Sequence, residues 1–451
     1  MNVSQKVLIA VLTTAAGLAS AAEPNTAARQ AQIDAMVREI SPQRIQAYVD
    51  KLAGFGTRHT MSDTVSETRG IGAARRWIKG ELERCGAGKL QVAFDGHLHP
   101  VDRRLSRPTE IVNVVATLPG TQAESRERMY VVSGHYDSRN TDDADAVNDA
   151  PGANDDASGT AAVMEMACVM ARYKFDATLV FMAVAAEEQG LYGATDFAEK
   201  AKQKKLNIAG MFTNDIIGSS YNEKGERDNR QVRLFAEGIP AVKEMPDHLR
   251  TLIQTGGEND SLPRQLARHV KEIGERYVPD FKVTIVNRRD RYLRGGDHAP
   301  FLDRGFAALR FTEPAENFNH QHQNLRKEGS LQIGDLPEFV DPAYIAQVAR
   351  VNAASLASLA LAPASPQGVK IITAKLDNHT DLAWTANTEP DLAGYRVVWR
   401  DTTAAQWQGS QFVGKVTAVN MPLSKDNVFF GVQAVDKDGN VSPATYPMPA
   451  R

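Results

Sequence analysis

A histidine and a carboxylate stand two positions apart, directly after a short apolar run. Residues 131–133 are followed by Gly134 and then by His135 and Asp137. An imidazole is a common zinc ligand, and a nearby carboxylate can accept its second ring N–H directly or through the local backbone. A loop histidine beside an acid is more often simply solvated, so the pair alone is a weak indication of a metal site.

Two acidic pairs follow further apolar segments. Asp155 and Asp156 lie in a glycine-bracketed turn before a helical pattern. One could bridge two metals while the other caps the helix, although capping by both is the better explanation of this pair on its own. Glu187 and Glu188 close an apolar run, where adjacent carboxylates are costly unless neutralised. Because neighbouring side chains of an extended chain point in opposite directions, one glutamate could bind metal and the other act as general base.

Further candidate ligands come later in the chain. Asp215 follows another apolar strand and can supply a carboxylate. Two imidazoles, His320 and His322, compete for one role in the segment 318–323. Residues 295–298, Gly-Gly-Asp-His, form a polar loop that could lie behind the ligands or along the substrate. The collection predicts a hydrolytic site with room for water beside a metal.

Alternating strand and helix patterns predict the elements that position these side chains. Strands are expected at 111–116, 129–133, 178–184, 209–217 and 306–311, and helices at 30–53, 68–84, 157–172, 193–205 and 342–361. This order is typical of an α/β fold, a three-layer sandwich with a mostly parallel central sheet. Functional groups of such sheets gather beyond the carboxyl ends of the strands, so the clusters are expected to meet there.

The N-terminus has the pattern of a secretory signal peptide over residues 1–21. Lys6 precedes an apolar run at 7–12, and Ala19-Ser20-Ala21 fits a cleavage site. The run is too short to span a bilayer, and no later segment is apolar enough to do so. We therefore expect a protein without a membrane span that is secreted or periplasmic.

The overall composition limits the possible function classes. The chain has 451 residues, a formal net charge of -3 and no long basic run, which gives nucleic-acid binding no electrostatic support. Its only two cysteines, Cys85 and Cys168, could pair in an oxidising compartment, but their spacing does not show whether they meet.

The composition changes after residue 361. Residues 362–366, Ala-Pro-Ala-Ser-Pro, predict a linker, and short β-type runs at 381–384, 395–399 and 428–435 predict a separate domain over 367–451. Strands at this spacing suggest a small all-β immunoglobulin-like sandwich. The ending Gly-Val-Gln-Ala-Val-Asp-Lys-Asp-Gly-Asn-Val-Ser-Pro resembles a fibronectin type III module, and we expect it to carry no catalytic residue.

Taken in order, the clusters resemble those of a known family. The chain resembles the co-catalytic di-zinc aminopeptidases, a family that includes secreted bacterial leucyl aminopeptidases and glutamate carboxypeptidases. The resemblance lies in five motifs in the same order: H-x-D, G-A-N-D-D-A-S-G, A-A-E-E-x-G-L-x-G, N-D and a late histidine. The similarity runs from about residue 52 to 361 and places a peptidase domain at 30–361. It implies two Zn²⁺ ions per chain and peptide substrates with a free N-terminus.

The resemblance also implies a role for each candidate. The ligands would be His135 and Asp215 for one zinc, Glu188 and the late histidine for the other, and Asp155 bridging both. Glu187 matches the general base, Asp137 the carboxylate behind the histidine, and Asp297-His298 a loop beside the site.

One departure from the family concerns the last ligand. Many relatives have an acidic residue four positions after the last histidine, whereas counting from His320 gives Asn324. The His-Gln-His-Gln spelling favours His322 as the ligand.

The implied activity is peptide-bond hydrolysis by zinc-activated water, with Glu187 taking the proton of the water and returning it to the leaving amine. An aminopeptidase fits best. A carboxypeptidase, a dipeptidase or an aminoacyl cyclase on the same fold is the first alternative. A non-catalytic binding ectodomain is the second, and the presence of every ligand type argues against it.

Overall fold

The computed structural model describes residues 23–375 and 377–451. The signal peptide expected at 1–21 lies outside this part of the chain. Within it, every helix is too short or too polar to cross a membrane.

An eight-stranded mixed sheet forms the centre of the molecule. Its strands β1–β8 are Gln91–His99, Thr109–Leu118, Arg128–His135, Thr178–Val184, Asn207–Asn214, Gln231–Ala236, Lys282–Val286 and Ala308–Thr312. Their order in the sheet is β1-β2-β4-β3-β5-β8-β6-β7. The central strands β4, β3, β5 and β8 are parallel, whereas β2 is antiparallel to β4 and β6 is antiparallel to β8. The α/β class is thus as expected, with antiparallel pairings outside the parallel centre.

Nine α-helices in the described residues surround this sheet. Helices α1–α9 are Ala31–Glu39, Pro42–Ala53, Gly70–Gly86, Ser158–Met170, Tyr192–Gln203, Asp247–Gln254, Leu262–Tyr277, His298–Asp303 and Pro342–Leu361. Helix α9 has the bounds expected from sequence. The helical region expected at 30–53 is divided, because Ser41 caps α2 by accepting a hydrogen bond from the backbone of Arg44 at 3.3 Å.

The sheet is buried on both faces. Neighbouring residues of β3 enter different cores, since Val132 packs with α4 and α9 on one side and Val131 with α5 and α8 on the other. This burial explains the continuous apolar character of the central strands. Strands β1, β6 and β7 and helices α6, α7 and α8 were not expected from sequence.

A short hairpin and two smaller sheets follow in the chain. The hairpin pairs β9 (Arg326–Glu328) with β10 (Leu331–Ile333). The later strands β11–β17 are Gln367–Ile372, Thr380–Thr385, Leu392–Asp401, Gly409–Gly414, Ala418–Met421, Val428–Asp436 and Met448–Ala450. They form a four-stranded and a three-stranded sheet with a core of their own, where Trp384 lies edge-on to Tyr395 at 5.2 Å. The likeness to a fibronectin type III module stays a prediction.

Buried ion pairs join the small sheets to the larger unit. Asp260 lies 2.6 Å from Arg400 of β13 and 3.0 Å from Arg268 of α7, with all three side chains at most 9% exposed. Arg128 of β3 pairs with Glu389 at 3.4 Å. The expected boundary at 362–366 is therefore crossed by contacts that fix the two parts together.

A disulfide joins two helices on one side of the sheet. Cys85 of α3 is bonded to Cys168 of α4. Sequence left this pairing open, because only the fold brings the two helices together.

Candidate metal centre

The candidate residues meet at one edge of the central sheet. Strands β4, β3 and β5 are adjacent and parallel, and they lead respectively into Glu187, His135 and Asp215. Helix α4 starts against the same edge, where a Cβ on Gly134 would lie 2.4 Å from the backbone of Gly159. Glycine at both positions lets the helix, and the acidic turn before it, approach the strand ends.

Two groups of ligand atoms form at this edge. His135, Glu187 and Asp215 make one group and Asp155, Glu188 and His322 the other, with the ligand atoms of each group within 4.8 Å of one another. The structure thus brings together every residue that sequence proposed as a ligand or as the base.

Asp155 lies between the two groups. One carboxylate oxygen is 3.1 Å from Nε2 of His135, and the other is 2.8 Å from Nε2 of His322. Burial opposes its ionisation, but the imidazoles of His322 and His135 hold the pKa of the Asp155 carboxyl well below its usual value. Asp335 fixes the turn by accepting the backbone N–H groups of Asn154 at 2.7 Å and Asp155 at 2.8 Å.

The second group has the properties of a cation site. Oε1 of Glu188 lies 2.9 Å from Nε2 of His322, and both atoms are buried without a hydrogen-bond partner among the described residues. Buried polar atoms are rarely left unpaired, whereas carboxylate oxygen and imidazole nitrogen are both zinc ligands. The donors therefore fit a bound metal ion.

The structure separates the two competing histidines. His322 lies in the second group, whereas His320 stacks on Phe339 with ring centroids 3.9 Å apart. Burial lowers the pKa of His320 to about 4. His320 thus belongs to the packing of the loop and lies outside both groups of ligand atoms.

Asp137 connects the histidine to the glutamates. Nδ1 of His135 is 3.2 Å from the backbone carbonyl oxygen of Asp137 and 3.5 Å from its carboxylate. That carboxylate accepts the backbone N–H groups of Glu187 at 3.3 Å and Glu188 at 3.1 Å. Asp137 therefore holds the loop that carries both glutamates, a role that sequence did not show.

The two glutamates diverge for a reason different from the expected one. They follow β4 in a turn, where Ala186 has a φ of 59°. The turn, and not strand alternation, directs Glu187 and Glu188 into different groups. Burial first, and then the charges of Asp215 and Glu188, raise the pKa of Glu187 well above its usual value, although His135 opposes this shift.

Asp156 joins three elements beneath the site. Its carboxylate accepts the backbone N–H groups of His135 at 3.0 Å, Gly159 at 3.0 Å and Ile216 at 3.2 Å. It therefore caps the start of α4, as expected, and also ties this helix to the ends of β3 and β5.

Arg310 contacts a candidate ligand and was missed in the sequence. Its fully buried guanidinium lies 2.8 Å from a carboxylate oxygen of Asp215 and also donates to the backbone carbonyl of Gly295. A Cβ on Gly296 would lie 2.6 Å from Asp215, so this loop packs directly on the ligand. An arginine inside an apolar strand requires an acidic partner, and this was the available signal.

The polar loop at 295–298 reaches the centre through Asp297. Both carboxylate oxygens of Asp297 are buried without a hydrogen-bond partner among the described residues. Burial raises its pKa to about 8, with Asp137 and Asp215 adding to the shift and His135 opposing it. The loop lies behind the ligands, which was one of the two positions expected for it.

Arg58 fixes the backbone around the site. Its side chain is fully buried and donates to the carbonyls of Tyr136 at 2.6 Å, Gly152 at 2.9 Å and Leu52 at 3.0 Å. These bonds join the H-x-D loop to the turn that carries Asp155. Its sequence surroundings give no signal for this role.

Comparison with known proteins identifies the family. The family model described as "Peptidase family M28" matches residues 113–330. A protein of Leptosphaeria maculans named "Probable zinc metalloprotease" is 49% identical over 94% of this chain and 98% of its own length. A protein of the same name from Pyricularia oryzae is 49% identical over 93% of this chain and 85% of its own. The chain belongs to peptidase family M28. It is thus a zinc-dependent peptidase.

Two solved structures share this fold. An aminopeptidase from Aneurinibacillus sp. strain AM-1 has a TM-score of 0.51 at 14% identity, with 73% of this chain and 96% of the other covered. The LapA aminopeptidase of Legionella pneumophila has a TM-score of 0.50 at 17% identity over 73% of this chain and 74% of its own. At these identities the likeness establishes the fold of this M28 peptidase.

Proposed function

We propose that this M28 peptidase is a secreted aminopeptidase that holds two zinc ions and removes the N-terminal residue of peptides. The observation that carries the proposal is the position of Asp155, with one carboxylate oxygen toward each of two imidazoles. A carboxylate placed in this way suits a bridge between two cations.

Five residues would hold the two ions. They are His135 and Asp215 for the first, Glu188 and His322 for the second, and Asp155 for both. Bound zinc would act as a Lewis acid that activates water and polarises the scissile carbonyl. Arg310 and Arg139 contact the outer oxygens of Asp215 and Glu188, at 2.8 and 2.9 Å, and so orient these carboxylates.

Glu187 is the residue that moves protons in this proposal. It lies beside His135 and Asp215 but is absent from the second group. Its carboxylate takes a proton from the attacking water and delivers it to the nitrogen of the leaving amine. Asp137 positions it through the backbone N–H of Glu187.

Two observations support the finer assignments. The two solved structures named above are aminopeptidases by title, which supports an exopeptidase with N-terminal specificity. The N-terminal signal-peptide pattern and the bond between Cys85 and Cys168 both support export to an oxidising compartment.

Chromogenic substrates test this activity directly. We expect leucine p-nitroanilide to be hydrolysed, N-acetyl-leucine p-nitroanilide to be resistant, and activity to be lost with a chelator and restored by Zn²⁺. Equal hydrolysis of the acetylated substrate would contradict an aminopeptidase. Hydrolysis of N-acetyl dipeptides with a free C-terminus, without release of p-nitroaniline from the first substrate, would establish the carboxypeptidase alternative.

A further inference from the structure

An arginine lies against the ligands of the second group. Nε of Arg139 is 2.9 Å from Oε2 of Glu188, and a terminal nitrogen of Arg139 is 2.6 Å from Nδ1 of His322. The side chain is 22% exposed, so the guanidinium lies between the buried ligands and solvent. A cation therefore stands at the outer side of the proposed metal centre.

The contact between Arg139 and His322 is incompatible with metal binding by this histidine. Nε2 of His322 faces Asp155 and Glu188, and it is the atom that a metal would take. The ring proton must then reside on Nδ1, which cannot accept a hydrogen bond from a guanidinium. The terminal nitrogen of Arg139 must therefore leave His322 and find another acceptor, while Nε can remain on Glu188.

Hydrogen bonds between two loops keep Arg139 beside the site after its terminal nitrogen leaves His322. The backbone N–H of Thr141 donates to the side chain of Asn324 at 3.1 Å, and the backbone N–H of Asn324 donates to Thr141 at 3.2 Å. This reciprocal pair joins the loop after Arg139 to the loop after His322. The released end of the guanidinium thus stays beside the centre.

A second cluster of cations surrounds Glu316. Three arginines pair with the carboxylate of Glu316: Arg291 at 2.6 Å, Arg233 at 2.7 Å and Arg294 at 4.0 Å. Among the described residues, these three guanidiniums form no ion pair with any other carboxylate. Nε of Arg291 is buried without a hydrogen-bond partner among the described residues. Three guanidiniums thus share one carboxylate.

Arg291 faces the ligands as well as Glu316. Burial lowers its pKa, but the carboxylates of Asp215, Glu316 and Asp155 outweigh this effect and leave the pKa raised. A substrate bound at the centre thus lies near Arg139, which retains donors for an anion.

We propose that Arg139 binds a carboxylate of the substrate close to the scissile bond, so that the enzyme prefers short peptides carrying such a group. The inference rests on the proposed peptidase function and adds its substrate class. The carboxylate is either the C-terminal α-carboxylate of a dipeptide or an acidic side chain beside the cleaved bond. A planar guanidinium suits either one, because it can donate two parallel hydrogen bonds to a carboxylate.

The test compares matched acid and amide substrates within each variant. In the unmodified protein we expect kcat/KM for Leu-Gly to exceed that for Leu-Gly-NH₂ by about tenfold, the scale of a partly exposed charge-assisted contact. The ratio should fall to about one in Arg139→Gln and lie between these values in Arg139→Lys. Because both substrates meet the same centre, a change in metal content alone leaves the ratio unaltered.

The control variant is Arg304→Gln. Arg304 pairs with Glu199 at 2.9 Å and is 20% exposed, a setting similar to that of Arg139 but away from the ligands. Its substrate ratio should equal that of the unmodified protein.

A second pair of substrates identifies the source of the carboxylate. Faster cleavage of Leu-Glu-NH₂ than of Leu-Gln-NH₂, abolished in Arg139→Gln, would assign the site to an acidic side chain. A preference seen only between Leu-Gly and its amide would assign it to the C-terminal carboxylate. Absence of both preferences in the unmodified protein, or their persistence in Arg139→Gln, would overturn the proposal.

Binding without turnover gives an independent measurement. In a Glu187→Gln chain loaded with zinc, calorimetry should show tighter binding of Leu-Gly than of Leu-Gly-NH₂, and Arg139→Gln should remove the difference. In the unmodified protein, equal rates for Leu-Gly and Leu-Gly-NH₂ together with equal rates for Leu-Glu-NH₂ and Leu-Gln-NH₂ would contradict this inference alone. Failure to cleave any peptide with a free N-terminus would contradict the proposed function instead.

Discussion

Glu187 and Glu188 are adjacent in the chain but differ in what their carboxylates contact. Glu188 is held by Arg139 at 2.9 Å and by His322 at 2.9 Å, as expected for a ligand fixed from behind. Glu187 is grouped instead with His135 and Asp215. The proposed division of labour between metal binding and proton transfer rests on this difference.

Replacement of Glu187 by glutamine tests that division. The amide keeps the shape of the side chain but cannot take a proton, so we expect kcat to fall by about 10²–10⁴-fold with the zinc content unchanged. The measurement combines steady-state kinetics with metal analysis of the same sample. Glu188→Gln is the matched control and should lose metal as well as activity. A Glu187→Gln variant with near-normal turnover and full zinc content would exclude Glu187 as the base.

At the residue scale, sequence identified the candidate residues that the structure brings together but missed the residues that hold them in place. His135, Asp155 and Glu187 lie in short motifs with polar side chains after apolar strands, a pattern visible without a fold. Arg310 and Arg58 act on residues far away in the chain, Asp215 and Tyr136 respectively. Such contacts depend on the tertiary arrangement, so local spacing could not indicate them.

At the scale of elements, the parallel centre was predictable and the rest of the sheet was not. Strands β3 and β4 are buried on both faces and read as continuous apolar runs. Strand β1 lies at the sheet edge with mostly exposed or half-buried residues, so its apolar signal is weak. Helix α7 buries Arg264, Arg268 and His269, polar residues that hide a core helix from a hydrophobicity pattern.

The disulfide between α3 and α4 gives a prediction about these elements. The two cysteines are separated by 83 residues, so their bond restricts a long loop of the unfolded chain. We expect the Cys85→Ser/Cys168→Ser double variant to lose about 2–4 kcal/mol of unfolding free energy, measured by urea denaturation. The unmodified protein in a reducing agent should show a similar loss. Unchanged stability in both samples would mean that the bond does not form.

At the scale of the whole molecule, the C-terminal sandwich is fixed to the peptidase part. The buried contacts of Asp260 with Arg268 and Arg400 hold the two parts together. Breaking a buried ion pair by removing one partner costs about 3–5 kcal/mol, so these contacts couple the folding of the two parts. Sequence predicted a linker at 362–366 and a separate domain after it, because linker composition does not reveal the interface around it.

Asp176 makes the stability of this assembly depend on pH. Burial, together with the nearby charges of Asp391 and Asp436, raises its pKa from 3.8 to about 6. The folded chain thus keeps this proton at pH values where the unfolded chain has released it. The stability that protonation contributes is present below about pH 4 and is lost as the pH rises through 6.

The variant Asp176→Asn should therefore be more stable than the unmodified protein at pH 7.5 and equal to it near pH 4. Thermal denaturation at both pH values measures the difference in Tm. The gain at pH 7.5 should be small, because the side chain is only partly buried. A Tm below that of the unmodified protein at pH 7.5 would contradict the repulsion inferred for this interface.

The central claim is that two metal ions share Asp155 at the ends of the central strands. Zinc analysis of the purified protein, of His322→Ala and of its neighbour His320→Ala tests it most directly. We expect two ions per chain in the unmodified protein and in His320→Ala, and one in His322→Ala. One ion or none in the unmodified protein, or a loss of zinc in His320→Ala with two ions retained in His322→Ala, would contradict the account.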